Sequence, residues 1–326
     1  MRIDLSEHSD LVRGASEVEE TPDGVRCSRF TERCFEKVFA RDGAPADSAC
    51  ATSGVRVALV TDAGNVRMRL ARGRTFAENG ASVDILVDRA ECHSFRSDED
   101  AEDFVVSMDL EPAEEEDGHE LEIYLPHLSE VLIRDFELSD GSLFRPSYAG
   151  DERILFAGDA VTQGRFAASP FRTYPALLAA EMHTDFLNWG VTAGKVCADL
   201  AEAALEMEWQ SAVLACGAED YKESTSRRDF EAELRGAISH LSRRGGARIF
   251  AVTPWRLPEL EKVRNRAGMI PDDYRKICRE TVREFPDAVL LDGASACKDV
   301  FQEIHEGDSG PMTALAEAFY RKLAGA

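Results

Sequence analysis

Between Val55 and Ile133 apolar residues fall on alternate positions in short runs. Val66, Met68 and Leu70 make one such run; Val83, Ile85 and Val87 make another. Leu121, Ile123 and Leu125 follow, then Val131 and Ile133. A period of two is that of a strand with one face on a core. Several such runs separated by turns predict an antiparallel sandwich, jelly-roll-like in character. The stretch before it, residues 1 to about 54, is polar and mixed, an irregular arm with a turn signal at Pro22-Asp23-Gly24.

Near Pro146 the pattern changes. Continuous apolar runs, Ile154–Ala157, Ala212–Cys216, Ile249–Val252 and Ala288–Leu291, with a weaker one near Phe186, now alternate with helical stretches. The helical stripes are Phe230, Leu234, Ile238 and Leu241, then Tyr274, Ile277, Cys278, Thr281, Val282 and Phe285. Met312, Leu315, Ala316, Phe319, Tyr320 and Leu323 form the last. Strands apolar on both faces suit a parallel sheet covered on both sides. The alternation predicts a doubly wound α/β domain, whose sites lie at the carboxyl ends of its strands. The expected division is residues 1–148 for the sandwich with its arm and residues 151–326 for the α/β domain.

Composition adds bounds. The chain has 326 residues, 44% of them hydrophobic, enough for two domains with cores. A net charge of −23 argues against nucleic acid or an anionic membrane surface bound through a basic patch. Neither a signal peptide nor an apolar spanning segment is read from the sequence. The eight cysteines have no CxxC spacing, and several sit in apolar runs. Free thiols in a reducing cytoplasm are the expectation. The acidic runs 98–103 and 111–117 read as solvated loops.

Candidate chemistry collects at the strand ends. The first block is Gly158-Asp159-Ala160-Val161-Thr162-Gln163-Gly164, and the second is Asn188-Trp189-Gly190-Val191-Thr192-Ala193-Gly194. The third is Gly217-Ala218-Glu219-Asp220, and the last runs from His305 to Gly310 before the final helix. In that order the four blocks resemble those of the SGNH (GDSL-like) hydrolases. The stretch HELEIYLPHLSEVLIRDFEL before them, and Arg264 to Arg275 after, are similar to a two-domain branch that includes carbohydrate esterases and acyltransferases. The resemblance implies a five-stranded parallel sheet behind a β-sandwich. It also implies acyl transfer through a serine ester, with a histidine base, an aspartate that orients it and an oxyanion hole.

Carried over residue by residue, His305 takes the base position and Gly190 an oxyanion-hole position. The nucleophile position, whose amide also belongs to the oxyanion hole, holds Ala160 instead of serine. The oxyanion asparagine position holds Glu219. The orienting aspartate position holds Gln302, which the adjacent Glu303 could cover after a loop shift. Ala160 alone would be a simple inactivating substitution; the three departures together favour natural loss of esterase chemistry. Asp159, Asn188 and Trp189 are the expected pocket residues, although Asp159 also suits a turn-holding role and Trp189 also suits packing. Thr162, two residues beyond Ala160, is a poor substitute nucleophile. A cation site from Asp159, Glu219, Asp220 and His305 has no ligand spacing behind it, and neither metal nor cofactor is expected. The expected partner is a small ester or carbohydrate-like ligand.

Overall fold

Alternating side chains in the first half build two antiparallel sheets whose inner faces share one core. The structure, a computed structural model, describes residues 1–39, 44–74, 80–99, 101–111, 118–148, 150–297 and 310–325. In chain order the first elements are β1 (Val12–Arg13), β2 (Glu17–Thr21), β3 (Gly24–Ser28), α1 (Glu32–Phe39) and α2 (Ala44–Cys50). Then come β4 (Arg56–Thr61), β5 (Asn65–Arg72), β6 (Ser82–Val87), β7 (Glu91–Arg96) and β8 (Asp103–Asp109). β9 (His119–Tyr124), β10 (Val131–Leu138) and β11 (Phe144–Pro146) complete this half. One sheet runs β1-β4-β9-β6-β7 with β11 also on β4, and the other runs β2-β3-β10-β5-β8.

The inward residues are those of the period-two runs. Val57, Val83, Ile85, Leu121 and Ile123 from one sheet meet Val66, Met68, Leu70, Val131 and Ile133 from the other. This is a β-sandwich. The arm is more structured than its mixed composition suggests. β2 and β3 form a hairpin around the Pro22-Asp23 turn, and α1 is an amphipathic helix with Cys34 and Phe39 buried. Eight residues are too few to show a convincing helical period among charged neighbours.

The chain divides into two compact units. The sandwich unit comprises 1–31, 47–149 and the short stretch Ser169–Phe171. In it the fully buried Asp84 accepts from Ser169 Oγ at 2.6 Å and from the Phe171 amide at 2.7 Å. The other unit comprises 32–46, 150–168 and 172–326. Helix α1 belongs to it.

In the second unit the strands are β12 (Arg153–Gly158), β13 (Asp185–Gly190), β14 (Ser211–Ala215), β15 (Arg248–Val252) and β16 (Ala288–Leu291). All pair in parallel, in the order β13-β12-β14-β15-β16. Its helices are α3 (Ala160–Gln163), α4 (Tyr174–Met182), α5 (Ala198–Ala203), α6 (Ala218–Lys222) and α7 (Arg227–Leu241). α8 (Pro271–Val282), α9 (Gly293–Ala296) and α10 (Gly310–Leu323) follow. The first crossover leaves β12 in one direction and the next returns past it. Right-handed connections therefore put helices on opposite faces. α4 packs with α10, while α5, α7 and α8 pack in series. Salt bridges bind α1 to α5, with Lys37 Nζ at 2.9 Å from Asp199 and 2.7 Å from Glu202. The strand order reverses between β12 and β14, the place where doubly wound sheets open a crevice.

The sandwich carries a buried charge pair. Arg56 Nε donates to Glu122 Oε2 at 3.1 Å, and Tyr124 Oη donates to the same oxygen at 2.7 Å. Truncating one partner strands the other charge in a low dielectric. Glu122→Ala is expected to lower stability in urea unfolding by about 3 kcal/mol, and adding Arg56→Met should recover much of the loss. A Glu122→Ala loss below about 0.5 kcal/mol, the value of an exposed pair, would contradict this account.

Candidate functional site

Strand β12 ends at Gly158, and Asp159 starts helix α3 as its N-cap. The side chain caps because a carboxylate accepts from the otherwise unpaired amides of the first turn. Asp159 Oδ1 accepts from the Val161 amide at 3.0 Å, and Oδ2 accepts from Trp255 Nε1 at 2.9 Å. Asp159 is 4% exposed. Burial is the main cause that lifts its carboxyl from 3.8 to about 6, against the two hydrogen bonds, and Glu219 adds repulsion in the same direction.

Ala160, expected at the nucleophile position, is the first residue of α3 and is buried at 7% exposure. Thr162 offers no replacement. Its Oγ1 is fully buried and lies 3.0 Å from Tyr174 Oη.

The second block braces this turn from beside it. Asn188 Nδ2 donates to the Thr162 carbonyl at 2.9 Å, and Asn188 Oδ1 accepts from the Gly190 amide at 2.9 Å. Gln163 Oε1 accepts from the Thr192 amide at 2.8 Å and from Thr192 Oγ1 at 2.6 Å. One expected site residue, Gly190, is part of this bracket, its amide donated inward to Asn188. Position 190 is glycine for space: a Cβ there would collide with the Gln163 amide and the Thr162 carbonyl carbon. Asn188 is fully buried and acts as a bracket, not a pocket wall.

Trp189 is 1% exposed. It packs with Leu155, Leu200, Ala204 and Leu241 around a void of about 20 Å³, too small for a ligand. Sequence reasoning gave no weight to Ala193. It adopts φ 61°, a left-handed conformation that costs a non-glycine residue about 1 kcal/mol. No sequence signal marks it.

The third block follows β14. Glu219 lies in α6, its side chain 12% exposed, and its Oε2 accepts from Lys222 Nζ at 2.9 Å. Asp220 points inward and accepts from the Val196 amide at 3.2 Å; burial raises its carboxyl to about 6. His305 and Gln302, with Glu303 and the rest of 298–309, lie outside the described residues.

The loop after β15 supplies what the four blocks omitted. Trp255, 1% exposed, reaches Asp159, and Arg275 of α8 holds its backbone. Arg275 donates to the carbonyls of Pro254 at 3.0 Å and Trp255 at 2.9 Å, and it pairs with both oxygens of Glu261 at 2.7 Å. Within the stretch Arg264 to Arg275, Asn265 Nδ2 donates to the Tyr221 carbonyl at 2.9 Å and to Tyr274 Oη at 3.0 Å.

Residues 156–312 match the family described as GDSL-like lipase/acylhydrolase. Over that stretch, just under half of its length, the chain is similar to that family. This domain has the SGNH fold, and solved structures share the architecture across nearly the whole chain. Salicylyl-acyltransferase SsfX3 from a tetracycline biosynthetic pathway is 20% identical with a TM-score of 0.82, covering 96% of this chain and 94% of that one. A GDSL-like lipase from Bacteroides ovatus, described as putative, is 13% identical with a TM-score of 0.71, covering 97% and 95%. A family two carbohydrate esterase from Clostridium thermocellum, in complex with cellohexaose, is 14% identical with a TM-score of 0.63, covering 96% and 98%. No curated protein matches the chain. Among the described residues no helix is long and apolar enough to cross a membrane, and no cluster of three or more His, Cys, Asp or Glu is arranged to hold a metal.

Two predictions follow from the GDSL-like turn. Gly190→Ala places a methyl against the Thr162–Gln163 peptide and should destabilise by more than 2 kcal/mol or prevent folding; a change within about 0.5 kcal/mol would show that the peptide yields. Asp159 gives a pH dependence. Its folded pKa, about 6, lies above the ordinary 3.8 expected of the unfolded chain, so the folded state holds the proton more tightly. The stability that this group contributes is fully present below the lower value and is lost as pH rises through the upper one. The loss is roughly 3 kcal/mol across that window. Urea unfolding of wild type and Asp159→Asn from pH 4 to pH 7 should show the wild type losing ground to the variant by about that amount. A constant difference would contradict the assignment.

Proposed function

We propose that this chain is a catalytically degenerate GDSL-like protein, which keeps the frame of the ester site and binds a small ester or carbohydrate-like ligand without serine-ester turnover. The observation that carries the reading is Ala160 at the head of α3, where the turn is fully braced and no hydroxyl faces out of it. Serine-ester catalysis needs a nucleophilic oxygen there, and Thr162 has its own buried against Tyr174.

Glu219 supports the same reading. An asparagine amide donates to an oxyanion, whereas an ionised carboxylate only accepts. A full negative charge about 4 Å from an oxyanion would oppose it by roughly 4 kcal/mol at an effective dielectric of 20. Lys222, 2.9 Å from Glu219, offsets part of that. Gln302 at the orienting position completes the set of departures, since a neutral amide stabilises an imidazolium less than a carboxylate does. The ligand class rests on the fold shared with the carbohydrate esterase that was solved with cellohexaose. The eight free cysteines, five of them buried, support a cytoplasmic, reducing location. The two domains of the proposal are 1–148 and 151–326.

One observation favours a second reading, an acyltransferase or esterase in which Ala160 is the inactivating change. Nearly the whole chain superposes on an acyltransferase with a TM-score of 0.82. Turnover of a short-chain aryl ester separates the readings. The chain itself should show none. Ala160→Ser alone should stay close to that level, and Ala160→Ser with Glu219→Asn should gain roughly ten- to a hundredfold, the effect of about 1.4 to 2.7 kcal/mol in the transition state. Adding Gln302→Asp should raise it further. Should Ala160→Ser alone equal the triple variant, the second reading holds and positions 219 and 302 are neutral.

A further inference from the structure

Cys216 and Cys278 are 62 residues apart in sequence, yet their sulfurs lie 3.7 Å apart. Cys216 directly follows β14, and Cys278 sits within α8 on the layer that covers the sheet. Both are buried, at 4% and 0% exposure. No other pair of sulfurs among the described residues is recorded in such contact. We propose that Cys216 and Cys278 form a redox pair, which hydrogen peroxide or an equivalent two-electron oxidant closes into a disulfide that ties the third block to α8.

The geometry favours closure. A disulfide needs its sulfurs at about 2.05 Å, so the gap closes by less than 2 Å. The two sulfurs already meet. The brake is on Cys216: its hydrogen bond with Cys278 and its burial push the thiol up, while the reactive species is the thiolate. Access is therefore through brief local openings, and closure is slow compared with that of an exposed pair.

The reaction balances. The Cys216 sulfur, the less buried of the two, attacks one oxygen of hydrogen peroxide; the O–O bond breaks, a sulfenic acid forms and one water leaves. The Cys278 sulfur then attacks the sulfenic sulfur and displaces a second water. Two thiols are oxidised and one peroxide is reduced to two waters.

Closure has a consequence for the third block. In the reduced form Cys216 Sγ donates to the Val252 carbonyl at 3.3 Å. A disulfide sulfur has no proton to donate, so this link between β14 and β15 is given up. The next residue, Gly217, has φ 91° and packs so tightly that an added Cβ would meet Pro254 at 2.6 Å and Phe230 at 3.1 Å. A pull on Cys216 therefore passes along the chain to Glu219 instead of being absorbed in loose packing.

The test treats the full-length protein with hydrogen peroxide, unfolds it under alkylating conditions and maps the thiols by mass spectrometry. The expected result is a loss of two hydrogens from the intact mass and a linked peptide pair containing Cys216 and Cys278, both reversed by dithiothreitol. Hydrogen exchange at residues 217–222 should differ between the two forms by several-fold. In Cys278→Ser the linked pair should vanish and dimedone should trap Cys216 as its sulfenic acid. The wild-type map alone decides the matter if that variant misfolds. The proposal is overturned if both thiols remain alkylatable while the half-buried Cys92 is oxidised, or if Cys216 is recovered bonded to another cysteine. It is equally overturned if the link forms only after the protein has unfolded.

Discussion

A buried carboxylate with both oxygens committed holds the candidate site together. Asp159 turns the end of β12 into the start of α3 by capping Val161 with one oxygen, and Trp255 occupies the other. Trp255 in turn is held through its backbone by Arg275, whose charge is matched by Glu261. The chain of dependence runs from a surface-reaching glutamate through a buried guanidinium and an indole to the turn. Each group is buried only because the next one satisfies it. This fits the rule that a half-satisfied buried network is worse than none. The aromatic layer below adds rigidity: Tyr174 meets Phe156, Trp255 and Phe319 edge-on at 5.7, 6.2 and 5.6 Å.

Much of the architecture could be read from periodicity. Val66-Met68-Leu70 must face one side of a strand, and the continuous run Ala212–Cys216 must be covered on both. The structure puts each where that reasoning requires. The turn at Asp159-Ala160 was legible for the same reason: an apolar strand breaking into a short glycine-bounded stretch leaves few geometries. The second block was less legible. All six residues of Asp185–Gly190 are buried, so alternation cannot say which side chains face a cleft and which face a core. Trp189 and Asn188 thus looked like pocket residues although one packs and the other braces. Trp255 and Arg275 carried no signal, because the bond between Trp255 and Asp159 spans 96 positions. Local sequence says nothing of such a pairing. The short α1 was hidden for a different reason: it is tied down by burial of Cys34 and Phe39 and by its contacts with α5, not by a pattern within its own eight residues.

The bonds that shape the site are separate from the groups that would do chemistry there. Asn188 braces the carbonyl of Thr162, Gln163 braces Thr192, and Asp159 braces the amide of Val161. None of them uses the side chain at position 160 or 219. A methyl at 160 takes no bond from the frame, and the glutamate at 219 has Lys222 beside it. Reactive groups are commonly placed at some expense to stability, so their replacement is neutral or favourable to the fold. Persistence of the frame is then no measure of persistence of the reaction. What the frame does preserve is a buried, hydrogen-bonded turn at the point where the strand order reverses, with the Glu219–Lys222 pair in the third block.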